Sequence, residues 1–126
     1  MDIRKLQKAV VAALEDIKAR DIEVYDVKHL TSLFDRVVIA SADSARQTKA
    51  LARNVQDKAR EAGARVYGLE GEGSGEWVLV DLGDIVVHIM QPAVRMHYNL
   101  EELWNQPKPR APRKRSARAA APAESP

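Results

Sequence analysis

Gly75-Glu-Trp-Val-Leu-Val-Asp-Leu-Gly-Asp-Ile-Val-Val-His-Ile-Met90 is the stretch that decides how this chain folds. Two runs of strand-forming residues, 77–81 and 85–90, flank Leu82-Gly83-Asp84. Glycine supplies the positive φ that a tight turn needs, so the segment is predicted to be an antiparallel hairpin. Side chains alternate along a strand, which puts Trp77, Leu79 and Asp81 on one face and Val78, Val80 and Leu82 on the other. Both faces are largely apolar. One is expected to pack on the core, and the other to be covered by a helix or offered to a partner.

Working outward, Ile3, Leu6, Val10, Ala13, Leu14 and Ile17 recur at helical spacing and predict an amphipathic first helix ending near Arg20. Residues 22–27 read as a strand, and 36–40, nearly continuous in apolar residues, as a central one. A second helix begins near Ser44, where Ser44 and Gln47 have capping-box spacing, and Gly63 ends it. Residues 64–69 make a further strand, so strand, helix and strand should form a right-handed parallel crossover. Pro92 opens a short helical turn, and Asn99 with Glu102 caps a last one ending at Trp104. The order is α-β-β-α-β-β-β-α: an α/β fold, with a small mixed sheet of about five strands and flanking helices.

Composition bounds the rest. The 126 residues suffice for one core, there is no membrane-length apolar run, and no secretory h-region opens the chain. With no cysteine, disulfides and thiolate zinc sites are excluded and a reducing cytoplasm is expected. Residues 1–106 hold 14 Lys/Arg and 17 Asp/Glu, whereas 107–126 hold six Lys/Arg and one Glu. The chain therefore divides into a domain, 1–106, and a basic Pro/Ala/Arg-rich tail, 107–126, which is expected to be disordered. Such a tail either contacts phosphates non-specifically, ribosomal RNA included, or is a solvated extension.

Several motifs carry a resemblance. Residues 21–27, Phe34-Asp-Arg-Val-Val-Ile-Ala40, Ser44-Ala-Arg-Gln47, Gly68-Leu-Glu-Gly71, the run from Trp77 to His88, and Arg95-Met-His-Tyr-Asn-Leu-Glu-Glu-Leu-Trp104 follow one another in this order. In order and spacing they resemble the ribosomal silencing factor family, also called iojap-related proteins. The resemblance covers roughly residues 1–105. It implies a cytoplasmic protein that binds a large-subunit ribosomal protein on the intersubunit face. Occupying that place would stop the small subunit from joining and lower translation when nutrients are scarce. The family fold is similar to that of nucleotidyltransferases, without established transferase activity, and no cofactor is implied. The tail after Trp104 lies outside the resemblance.

Blocking association needs a rigid patch that wins a protein site, and aromatic anchors in a partly apolar patch suit that task. Trp77, Leu82, Met90 and Tyr98 are the candidates. On composition alone Trp77 reads as a core residue covering the sheet. Leu82, beside Gly83 at the turn, is expected to be exposed. Asp81 and Asp84 either pair with cations of a basic ribosomal protein or serve the turn. Arg95 reads as a surface or salt-bridging residue near the hairpin, at the interface. The same apolar hairpin is also suited to closing a homodimer in the free protein.

Two other function classes bear on the same residues. A nucleotidyltransferase would place a Gly-Ser pair at a helix start and paired carboxylates on a neighbouring strand to hold magnesium. Here the helix opens Ser41-Ala-Asp-Ser44, and Asp81 and Asp84 straddle a turn. Glycines at 71, 73 and 75 are interleaved with Glu72 and lead into a strand, whereas phosphate binding favours a helix N-terminus. His88 reads as structural, and His29 and His97 lack ligand-like spacing. Direct RNA binding is the other class. Arg46, Lys49, Arg53 and Arg60 fall on one side of the second helix, which is ordinarily a solvated face. No aromatic platform for stacking bases accompanies them.

Overall fold

A computed structural model describes residues 2–105, so the basic tail lies outside the described residues. Its elements, in chain order, are α1 (Ile3–Asp16), β1 (Arg20–Asp26), β2 (Arg36–Ser41), α2 (Ala45–Glu61), β3 (Gly68–Glu70), β4 (Trp77–Asp81), β5 (Ile85–Met90), α3 (Pro92–Tyr98) and α4 (Leu100–Trp104). The five strands form one sheet in the order β1-β2-β5-β4-β3. β2 and β5 are parallel, and the other neighbouring pairs are antiparallel.

The predicted crossover holds in direction but not in adjacency. β2 and β3 point the same way, yet β5 and β4 lie between them. The helix α2 thus carries the chain past two empty strand positions, and the 75–90 hairpin folds back to fill them. β5, buried along its whole length, is the central strand.

Two helix ends explain two shifted boundaries. α1 stops four residues before Arg20 because Lys18 adopts a left-handed conformation (φ 64°), Lys18 N–H donates to the Glu15 carbonyl and Ala19 N–H to the Leu14 carbonyl. This is the closing motif that glycine ordinarily signals, here with a lysine at its left-handed position. At the end of α2 the same motif uses Gly63, as the sequence indicates, and Ala64 N–H donates to the Ala59 carbonyl. Ala64 is therefore spent on the cap, and β3 starts only at Gly68. At the start of α2, Ser44 Oγ accepts from Gln47 N–H at 3.0 Å, and Gln47 Oε1 accepts from Asp43 N–H at 2.7 Å.

Strand alternation divides the core. Val78, Val80, Leu82, Ile85, Val87 and Ile89 face α1 and α2, and pack with Leu6, Val10, Leu14, Leu51 and Val55. On the other face Val27, Val37, Ile39 and Met90 form a second cluster, covered by Val94, Leu100, Trp104, Phe34 and Trp77. Helices α3 and α4 cover only part of this second face.

Candidate protein-docking face

The uncovered part of the second face is built by strand register. Trp77 pairs with Met90, Leu79 with His88 and Asp81 with Val86, and Glu70 of β3 pairs with Leu79. Of these, Trp77, Leu79 and Asp81 are half-buried, Glu70 is exposed, and Val86, His88 and Met90 are buried. A shallow hollow of about 340 Å³ lies over Glu70, Gly71, Trp77 and Leu79.

Rings line this face. The Trp77 indole N–H donates to His88 Nδ1 at 3.0 Å, and the two rings lie 5.9 Å apart. On the other side of Trp77 is Tyr98, from the end of α3, with ring centroids 4.9 Å apart. His97 stands edge-on to Tyr98, also at 4.9 Å. Tyr98 is 55% exposed and Met96, on the same short helix, 81% exposed. The indole can only donate, so His88 Nδ1 is an acceptor and the ring is neutral with its proton on Nε2. Burial acts in the same direction, pushing the His88 pKa down to about 4.

The sequence-derived candidates part company here. Trp77 and Tyr98 come together on the open face, which the half-buried Asp81 shares by strand parity, whereas the exposed Asp84 lies beyond the turn and lines a hollow with Leu6 and Leu82. Asp81 Oδ1 accepts from Gly83 N–H at 2.8 Å, so the carboxylate does serve the turn. Gly83 has φ 87°, and a Cβ there would meet the Tyr67 ring at 2.8 Å, which fixes glycine at that position.

Leu82 corrects the expectation of exposure. It is 3% exposed, because strand parity continues one residue past β4 and turns its side chain in beside Leu6. The backbone of the turn is at the surface, but this side chain is core. Met90 is likewise fully buried, on the second face beneath α3 and α4. Of the two readings of Arg95 the salt-bridging one holds, and the residue is buried, not at the surface. Its guanidinium donates through Nε to Glu101 Oε2 at 2.7 Å, and through Nη1 to the Asp21 carbonyl at 2.7 Å and Ser41 Oγ at 2.8 Å. It clamps α3 and α4 to β1 and β2. Met90 and Arg95 lie on the side of this face, beneath and within its helices, whereas Leu82 belongs to the core on the helix side of the sheet, against α1 and α2. Leu79, which reaches the surface of the open face, was missed, although sharing the parity of Trp77 marks it out.

Fold and face together define a small α/β sheet domain, with α1 and α2 packed on one side and aromatic side chains left open beside α3 and α4 on the other. The profile of the family described as ribosomal silencing factor during starvation matches residues 1–126. The chain belongs to the ribosomal silencing factor family. The ribosomal silencing factor of Chromobacterium violaceum is 55% identical over 109 residues, covering 86% of this chain and 89% of that protein. A crystal structure of a Chromobacterium violaceum protein matches with a TM-score of 0.82 at 55% identity, covering 87% of this chain and 92% of the other. A more distant mouse relative, named mitochondrial assembly of ribosomal large subunit protein 1, is 33% identical over 98 residues, 75% of this chain and 43% of that protein.

Proposed function

We propose that this protein is a ribosome-binding translation repressor. It docks through the open sheet face on a ribosomal protein at the intersubunit side of the large subunit, and its bulk keeps the small subunit away. The observation that carries this reading is the ring pair Trp77 and Tyr98, in contact at a tilt of 48° and half-buried and exposed respectively, with Leu79 beside Trp77 on the same face. Aromatic anchors of this kind dominate interface energetics, and truncating one typically costs about 2 kcal/mol or more. Glu70 at the rim suits a cationic partner, and such a charge chiefly speeds and orients encounter. The name of the mouse relative, which refers to the large subunit, supports the choice of subunit.

The role is a binding one, with no reaction catalysed. Asp81 holds the Gly83 amide, and the glycine-rich loop after β3 runs into a strand, not a helix. Gly75 in that loop lies against α2, where a Cβ would come within 2.7 Å of Ala45, which makes the loop a packing element.

The direct test is light scattering from separated ribosomal subunits mixed after incubation with the protein. Preloading the large subunit should slow and diminish joining, and preloading the small subunit should do so only as the protein transfers. Full joining at saturating protein would rule out the steric block.

A further inference from the structure

The helix layer on the other side of the sheet carries the opposite charge. Helices α1 and α2 hold eight Lys/Arg and four Asp/Glu, whereas the rest of the described domain holds six Lys/Arg and 13 Asp/Glu. The charge is concentrated on the outer side of α2. At 3.6 residues per turn, Arg46, Lys49, Arg53 and Arg60 fall within an arc of about 60°. That arc points away from the buried stripe of Thr48, Leu51, Ala52, Val55 and Ala59. All four are exposed, and none takes part in an ion pair among the described residues.

The arrangement works against the stability of the helix itself. Arg46 to Lys49 and Lys49 to Arg53 are like-charge neighbours at i,i+3 and i,i+4, each costing roughly 0.2–0.5 kcal/mol. Arg46 and Lys49 also lie near the helix N-terminus, where the macrodipole favours anions, and the first turn contains no acid. Nearby acids compensate little. Asp43, just before the helix, is already engaged by Arg20. Asp57, one turn on from Arg53, lines one hollow with Lys49 and Arg53 and another with Arg53 and Arg60. Glu72 reaches the second from the loop after β3, but neither acid forms an ion pair with these cations among the described residues. Three adjacent cations that outnumber the one acid in their stripe, and form no ion pair with it, favour an external polyanion.

We propose that the outer face of α2, centred on Arg46, Lys49 and Arg53, is a second contact surface that takes the phosphate backbone of RNA. It lies on the side of the sheet opposite the aromatic face, so one protein can hold a protein anchor and a nucleic-acid strand at once. The contact reads charge and not sequence, since the stripe includes no aromatic ring on which bases could stack. That the RNA is ribosomal rests on the function proposed above; the affinity for RNA does not.

The test uses the full chain with and without Arg46→Gln, Lys49→Gln and Arg53→Gln together, and a 20-base-pair RNA duplex of arbitrary sequence as the probe. A control triple, Lys5→Gln, Lys18→Gln and Lys28→Gln, removes the same charge from scattered exposed positions. Each phosphate contact contributes about 0.7–0.9 to the fall of log affinity with log salt, so the α2 triple should flatten that slope by about two units. It should also bind the duplex at least tenfold more weakly at low salt, while the control triple changes affinity less than threefold. All three chains should have the same circular dichroism, and the milder double Lys49→Gln, Arg53→Gln repeats the measurement at smaller amplitude if the triple melts early. Equal losses from both triples would mean that net charge alone acts, and no loss would mean a solvated face; either overturns the proposal. If the α2 triple loses large-subunit binding but keeps duplex binding, the stripe meets an acidic protein and the RNA contact is wrong. Trp77→Ala tests the docking face separately, because it should weaken subunit binding and leave the duplex untouched.

Discussion

At His88 the neighbours choose the protonation state. The Trp77 indole needs an acceptor, and burial disfavours the cation, so the folded protein holds this imidazole neutral down to about pH 4 while the unfolded chain titrates near 6.5. A depressed folded pKa means that the contribution to stability is complete above pH 6.5 and is lost as pH falls towards 4. The loss should approach about 3 kcal/mol in wild type. His88→Gln, which can still accept from the indole, should lack that component in urea titrations across pH 4–7. Leu82 and Tyr98 give a contrasting pair. Leu82→Ala should cost about 2–4 kcal/mol, because it empties a core position, whereas Tyr98→Ala should cost much less in stability and show its effect in binding. Trp77, Tyr98 and the turn role of Asp81 were legible in the sequence from residue type and spacing. The burial of Leu82 was less so: turn position and strand parity gave opposite indications, and packing against Leu6 decided for parity.

Among the elements, α3 and α4 are the least self-sufficient, with seven and five residues. Helices this short do not persist alone, so their place over β2 and β5 comes from tertiary contacts. Arg95 provides the polar ones by joining Glu101, Ser41 and the Asp21 carbonyl, while Phe34 meets Trp104 edge-on at 5.7 Å. Arg95→Met should cost about 3 kcal/mol, because the partners would be left buried without their cation. It should also speed hydrogen exchange in α3 and α4 ahead of the sheet, and move Tyr98 away from Trp77. Element types were readable throughout, because periodicity and glycine or proline signals agree at most ends. The end of α1 was not, since Lys18 occupies a left-handed position that nothing in its chemistry announces. Asn99 was only partly readable: it links α3 and α4 through its own left-handed backbone (φ 48°) and makes no side-chain cap.

For the molecule as a whole, the order β1-β2-β5-β4-β3 explains why one chain presents two unlike faces. The hairpin inserts between β2 and β3, sends Val78, Val80 and Leu82 towards the basic helix layer, and leaves Trp77 and Leu79 on the open side. Sequence reasoning reached the five strands and the hairpin, but not the insertion, because strand adjacency depends on long-range pairing that local patterns do not encode. The central claim is that the open face selects one ribosomal subunit. Cosedimentation with purified large and small subunits, at a salt concentration high enough to suppress purely ionic contacts, tests it most directly. The full chain should pellet with the large subunit and not with the small one, and Trp77→Ala, Tyr98→Ala should reduce the bound fraction as a roughly tenfold loss of affinity requires, about 1.4 kcal/mol. Equal pelleting with both subunits, or large-subunit binding that the folded double variant leaves unchanged, would contradict it.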